Sequence, residues 1–100
     1  MAVTQVLIHA PTADALKRAQ NNARNLLKLE ADALVEIVVN GPAAAEAVKL
    51  SDADLVERLV LCANSLRNQQ LIAQEGVKQV EAAVQYLAHK QAEGWAYIRA

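Results

Sequence analysis

The residue best suited to covalent chemistry in this sequence is Cys62, the single cysteine of a 100-residue chain. It follows the apolar run Leu59–Leu61 and precedes Asn64 and Ser65, residue types that begin helices. A thiol beside a helix N-terminus, with a cation such as Arg67 nearby, is stabilised as a nucleophilic thiolate. Free cysteine is also among the most buried residue types, where it packs as a small hydrophobic side chain. Cys62 therefore has two interpretations, a reactive thiolate and a buried structural residue.

Polar residues also follow two other apolar runs of the sequence. His9 comes after the first run, and Asn40 and Gly41 come after the second. Ligands of open parallel sheets bind beyond the carboxyl ends of the strands, so we expect these residues to share one crevice with Cys62. There His9 would orient or protonate a group beside the thiol, and the Asn40-Gly41 backbone would donate hydrogen bonds to an anion. The alternatives are a local hydrogen bond of His9 and a tight strand-to-helix turn at Asn40-Gly41.

Short β-rich runs alternate with longer helical stretches, which is typical of a mostly parallel sheet with helices on both faces. The run over residues 34–39 is apolar and β-branched almost throughout, as expected of a strand covered on both sides. The strand predicted over residues 77–82 has the weakest pattern. The predicted strands are Val3–Ile8, Leu34–Val39, Leu59–Ala63, Val77–Ala82 and Trp95–Ile98.

Four helices are predicted between these strands. The first begins at Thr12 or Ala13, with Thr12 as its N-cap, and continues to about Glu30. The second begins at Pro42 and continues to about Leu50. The third helix is capped by Asn64-Ser65, carries Leu66, Leu71 and Ile72, and ends at Gly76. The fourth helix ends at Gly94, and its inward-facing residues are Ala83, Val84, Leu87 and Ala88. We therefore expect one α/β domain over residues 1–100.

Composition limits the classes of partner and cofactor. Ten Lys and Arg against eleven Asp and Glu give a net charge of -1, and aromatic residues make up 3% of the chain, so we expect neither nucleic acid nor a membrane surface as partner. A single cysteine excludes an intrachain disulfide, and the two histidines, His9 and His89, have no metal-ligand spacing. We therefore expect no metal and no cofactor. The chain has no apolar run long enough to span a bilayer and no charged leader, so we expect a cytoplasmic protein.

Four segments resemble, in order, motifs of the DsrE/DsrF-like family of intracellular sulfur-oxidation and sulfur-relay proteins: Asn22–Leu27, Val38–Pro42, Cys62–Arg67 and Gln91–Ile98. The resemblance covers nearly the whole chain, and the closing segment is its most particular part. It implies a three-layer α/β/α fold of flavodoxin-like appearance, with a parallel five-stranded sheet and assembly into dimers, trimers or hexamers. Sulfur-relay members carry sulfur as a persulfide on a cysteine after a central strand, and Cys62 stands at that position.

Some relatives have a second cysteine where this sequence has Ser65, so a two-cysteine exchange within one subunit is excluded. We therefore expect Cys62 to carry sulfur between a donor and an acceptor protein. The alternative function is a non-catalytic oligomeric module in which Cys62 is buried and the crevice holds a small anion or a partner loop. The candidate binding residues around the thiol are His9, Asn40, Gly41, Asn64, Ser65 and Arg67.

Overall fold

Five parallel strands form one sheet within residues 3–100, the part of the chain that the computed structural model describes. The strands are β1 (Gln5–Ala10), β2 (Leu34–Val39), β3 (Leu59–Cys62), β4 (Lys78–Val80) and β5 (Ala96–Arg99). Their spatial order is β4-β3-β2-β1-β5, and each neighbouring pair is parallel. The α/β class expected from the sequence, with about five strands in a parallel sheet, is confirmed.

Five helices connect the strands: α1 (Ala13–Leu29), α2 (Ala43–Ala47), α3 (Ala53–Val56), α4 (Ala63–Asn68) and α5 (Ala83–Ala92). The Oγ1 of Thr12 accepts a hydrogen bond from the Ala15 N–H at 3.1 Å, which confirms the predicted N-cap of α1. The Asp52 carboxylate accepts a hydrogen bond from the Asp54 N–H at 3.0 Å and so caps the short helix α3. Within residues 3–100 no helix combines the length and the apolar character needed to cross a membrane.

The two faces of the sheet are covered unequally. The connections from β1 to β4 all step in one direction across the sheet, and α1 to α4 pack on one face. The connection from β4 to β5 steps back across the whole sheet, and parallel crossovers keep one hand, so α5 lies on the opposite face. The core on the α5 side is small and contains Leu7, Val38, Val60, Cys62, Ala83 and Leu87.

The first strand is displaced from its predicted position. β1 begins at Gln5 and continues through His9 and Ala10, so the prediction that it ends at Ile8 was wrong. The strand continues because its pairing with β2 continues: His9 pairs with Val38, and Ala10 pairs with Val39. His9 is thus a strand residue whose side chain faces α5.

Two helices end earlier than the sequence predicts. The helix expected to reach Gly76 ends at Asn68, because Gln70 takes the left-handed conformation with φ 56° and interrupts the helical ladder. The helix predicted after Pro42 ends at Ala47 rather than near Leu50.

In α5, Val84 and Ala88 were predicted to face inward but are exposed. Of the four residues, Ala83 and Leu87 are buried. The other two are exposed because a single helix lying on a sheet buries only a narrow stripe of its surface. Val84 is 75% exposed, so part of the apolar surface of α5 faces outward.

Candidate functional site

Cys62 is the last residue of β3 and the N-cap residue of α4, so its thiol lies where a buried strand meets a helix. Its side chain is 6% exposed and packs in the core on the α5 side, beside Ala83 and Leu87. The Sγ atom lies 3.9 Å from the carbonyl oxygen of Glu81, to which the protonated thiol donates a weak hydrogen bond. The backbone that leads into α5 therefore covers the thiol.

Burial and nearby polar groups act in opposite directions on the pKa of the Cys62 thiol. Burial raises the pKa of the thiol, because an apolar environment disfavours the thiolate. The Ser65 hydroxyl and the backbone N–H groups of Ser65, Ala83 and Asn64 act in the opposite direction, and together they hold the pKa of Cys62 below its ordinary value. Asn64 and Ser65 lie in the first turn of α4, and Ala83 is the first residue of α5. N–H groups at the starts of two helices thus favour the thiolate form of Cys62.

Ser65 joins the thiol to the turn that follows β2. Its Oγ accepts a hydrogen bond from the Gly41 N–H at 2.9 Å, so the hydroxyl hydrogen is free to point at the sulfur. Gly41 has φ +57°, and a Cβ there would lie 3.2 Å from the Pro11 carbonyl oxygen, so glycine suits this turn. The Gln69 side chain donates to the Gly41 carbonyl at 2.9 Å. These bonds fix α4 against the end of β2.

Arg67 acts on the thiol site through Glu81. Its guanidinium forms an exposed ion pair with the Glu81 carboxylate, with one hydrogen bond of 3.3 Å from Nη1 to Oε2 and a second from Nη2 to Oε1. The hydrogen bond and charge of Glu81 raise the pKa of Arg67, and Arg67 lowers the pKa of Glu81. The Asn64 N–H also donates to the Glu81 carbonyl at 3.2 Å. The pair therefore ties α4 to the backbone that covers Cys62.

His9 and Asn40 lie on the same face of the sheet but form a separate hydrogen-bonded chain with Tyr97. His9 Nε2 lies 2.9 Å from Asn40 Oδ1, and His9 Nδ1 lies 2.7 Å from the Tyr97 hydroxyl. Since a carboxamide oxygen only accepts, Nε2 is the donor to Asn40, and in this tautomer Nδ1 accepts from the Tyr97 hydroxyl. Val38 separates His9 from Val60 of β3, so His9 stands two strands, about 10 Å, from the strand that carries Cys62.

The structure thus divides the predicted site residues into two groups. Cys62 lies with the N–H groups of Asn64 and Ser65, and reaches Gly41 through Ser65. His9 and Asn40 belong to the chain that ends at Tyr97. Within residues 3–100 no three His, Cys, Asp or Glu side chains lie close enough together to hold a metal ion.

Three residues of this region were missed in the sequence: Glu81, Ala83 and Tyr97. The signal for Ala83 was present, because a helix start after the fourth strand is the same pattern that pointed to Asn64 after the third. Tyr97 had no such signal. It meets His9 because β5 pairs with β1, and sequence order does not disclose that pairing.

Comparison with known proteins supports the fold and gives no information about the chemistry of the site. No protein-family model matches the sequence, and no curated protein matches it. Among solved structures the chain is similar to the protein of unknown function MTH1491 from Methanobacterium thermoautotrophicum, with 25% sequence identity and a TM-score of 0.84. The match covers 97% of this chain and 99% of that one, so the two share the α/β fold from end to end.

Proposed function

We propose that this protein carries sulfur as a persulfide on Cys62 and passes it from a donor protein to an acceptor protein. The observation that supports the proposal is the position of Cys62 at the junction of a buried strand and the start of α4, where nearby hydroxyl and N–H groups lower the pKa of the thiol. A thiolate is the form of cysteine that attacks sulfur. The resemblance of Cys62–Arg67 to the DsrE/DsrF-like motif supports the same chemistry.

The proposed transfer has two displacement steps. The Cys62 thiolate attacks the outer sulfur of a donor persulfide, a sulfur–sulfur bond forms at Sγ, and the donor leaves as a thiolate. The outer sulfur, with its proton, now belongs to Cys62. An acceptor thiolate then attacks that sulfur and Cys62 leaves as the thiolate, so atoms and charge balance without an oxidant, a metal or a cofactor. The N–H groups that hold the thiolate also stabilise it as the leaving group.

Transfer requires access to a sulfur atom that is almost fully covered. The covering backbone is the segment of residues 81–83, which contacts the thiol through the Glu81 carbonyl. On its outer side this segment is held by the exposed ion pair between Arg67 and Glu81. A donor protein that displaces this segment would uncover Sγ.

Mass spectrometry of the intact protein tests the proposal. After incubation with a small persulfide donor, the wild type should gain one sulfur atom, and Cys62→Ser, which keeps a similar side-chain volume, should gain none. Subsequent incubation with an excess of a small thiol should return the wild type to its original mass. Equal gain by both proteins, or no gain by the wild type, would contradict the proposal.

The second candidate function is a non-catalytic binding module, and the burial of Cys62 is the observation that favours it. In that case a thiol reagent labels folded Cys62 more slowly than a free cysteine peptide at neutral pH, and Cys62→Ala changes stability only. Labelling faster than the peptide standard identifies an accessible thiolate and favours sulfur transfer. The two functions thus predict opposite rates in one measurement.

Self-association in the cytoplasm, as a dimer, trimer or hexamer, is part of the proposal. It is supported by the open edge of the sheet at β5, where the side chains of Tyr97 and Ile98 are 40% and 49% exposed. A strand with one unpaired side presents a row of backbone donors and acceptors to another chain.

A further inference from the structure

A groove of about 410 Å³ lies between α5 and the ends of β1, β2 and β5. Its floor is the hydrogen-bonded chain of Asn40, His9 and Tyr97, and its wall is the outward face of α5 with Val84 and Ala88. The groove lies on the α5 face of the sheet, close to the carboxyl end of β1 and to the turn that follows β2. It is therefore a candidate binding site separate from the thiol chemistry.

The lining of the groove indicates a neutral ligand. Besides the floor and wall it includes Leu87 and Gln91, and no Lys, Arg, Asp or Glu of residues 3–100 belongs to the lining. The apolar side chains of the wall remain uncovered, since Val84 is 75% exposed. A small apolar group placed against this wall would bury surface that now faces water, which is favourable.

The hydrogen bonds within the floor determine which of its polar groups can donate to a ligand and which can accept. Asn40 accepts from His9 through Oδ1, so both hydrogens of its Nδ2 are left to donate to a ligand. The Tyr97 hydroxyl donates its hydrogen to His9, so its oxygen is left to accept. The groove thus presents a donor at one end of the His9 imidazole and an acceptor at the other.

A trans peptide group has the complementary arrangement, because its C=O and N–H point in opposite directions from one plane. We propose that the groove binds a peptide group of an extended segment of a partner protein. The ligand carbonyl accepts from Asn40 Nδ2, the ligand N–H donates to Tyr97 Oη, and a small side chain of the ligand packs on Val84 and Ala88. This proposal does not depend on sulfur transfer by Cys62.

Titration with a capped trialanine peptide, acetyl-(Ala)3-N-methylamide, tests the proposal by NMR. The imidazole signals of His9 should shift and saturate, while those of His89, exposed on α5, serve as the internal reference. Asn40→Asp keeps the oxygen that accepts from His9 but removes the donor, and it should weaken binding about tenfold. Asn68→Asp, an exposed asparagine in α4, should leave the affinity unchanged.

An ester analogue of the peptide, with each internal N–H replaced by oxygen, tests the second hydrogen bond. It should bind the wild type about tenfold more weakly than the peptide, and the difference should vanish in Tyr97→Phe, which lacks the accepting oxygen. The absence of a saturable His9 shift in the wild type would overturn the proposal. Equal loss with the ester in wild type and Tyr97→Phe would also overturn it, and this comparison decides the question if Asn40→Asp fails to fold.

Discussion

Ser65 is the side chain through which the rest of the molecule acts most directly on Cys62. Its backbone N–H and its hydroxyl both stabilise the thiolate, and its Oγ is in turn held by the Gly41 N–H. A cysteine at this position would take the place of the hydroxyl. The Ser65 hydroxyl is thus one of the groups that offset the effect of burial on the Cys62 pKa.

Replacing Ser65 with alanine should raise the pKa of the Cys62 thiol, because one of the donors that offset its burial is lost. The pKa is measured from the pH dependence of the rate of alkylation by iodoacetamide. Ser65→Thr keeps the hydroxyl and should stay near the wild-type value, and Ser51→Ala, at an exposed serine, is the matched control. An unchanged pKa in Ser65→Ala would contradict this role.

The lowered pKa of Cys62 also makes stability depend on pH. The folded state releases the thiol proton at a lower pH than the unfolded chain, whose thiol titrates near ~8.5, so stability rises with pH between the two values. The contribution is complete above the unfolded pKa and disappears below the folded one. Urea denaturation should therefore show the stability difference between wild type and Cys62→Ala shifting toward the wild type as pH rises through this range. A difference that is constant with pH would refute the linkage.

At the scale of elements, α5 is held on its face of the sheet by a polar cluster as well as by apolar contacts. The Tyr86 hydroxyl donates to the Glu36 carboxylate in β2, and Lys78 of β4 donates to the Tyr86 oxygen at 3.0 Å. Burial, and then the hydrogen bond and charge of Glu36, raise the pKa of Tyr86. The cluster spans from β2 to the edge strand β4, so it fixes the helix whose first residues cover Cys62.

Tyr86→Phe should lower the free energy of unfolding by about 1–2 kcal/mol, because it leaves a partly buried carboxylate without its hydroxyl donor. Urea denaturation at neutral pH gives the value. Gln85→Ala, at an exposed neighbouring position of α5, should remain close to wild type. A loss no larger in Tyr86→Phe than in this control would show that apolar contacts alone hold the helix.

The end of α4 provides a second test at this scale. Gln70 has φ 56°, a conformation that is strained for residues with a Cβ, so Gln70→Gly should raise the free energy of unfolding by about 0.5–1 kcal/mol. Lys17→Gly, at an exposed position in the interior of α1, should lower it by a similar amount. In thermal denaturation, the first variant should unfold at a higher temperature than the wild type and the second at a lower temperature.

Local signals explain which elements the sequence could predict. The β-branched run of β2 and the capped periodicity of α1 depend on neighbouring residues alone, and both were predicted with nearly correct ends. The end of α4 depends on the conformation of Gln70, and the contact of His9 with Tyr97 depends on the order of the strands. Neither is encoded in a short stretch of sequence. Cys62 and the helix starts beside it follow from local patterns, whereas the contact of the Glu81 carbonyl with the thiol depends on how the segment after β4 packs.

At the scale of the whole molecule, the sheet has two open edges, and β5 is the edge with exposed apolar side chains. Ile98 pairs with Ile8 and so faces the side of α1, whereas Tyr97 faces α5 and the groove. A contact through Ile98 would therefore leave the groove open. The proposed self-association through Ile98 and the proposed peptide binding would therefore use opposite faces of β5.

Ile98→Lys should weaken self-association without unfolding the subunit, because the side chain is half-exposed and a charged edge strand resists pairing. Sedimentation at micromolar concentration should show an oligomer for the wild type and a larger monomer fraction for the variant. Ile72→Lys, at a side chain that is 89% exposed in the loop after α4, is the control for a charge placed on an apolar surface residue. A wild type that sediments as a monomer would contradict the proposal of self-association.

The pairing of β1 with β5 also has a consequence for the order of folding. Val6 pairs with Ala96, so the first strand acquires its outer neighbour only after the intervening residues 7–95 have been synthesised. Until then β1 is an exposed edge of a partly built sheet, and closing so long a loop slows the final step. A partly built sheet that lacks β5 therefore exposes an edge to other chains, and the polar floor of the groove is completed only when β5 joins, because Tyr97 belongs to β5.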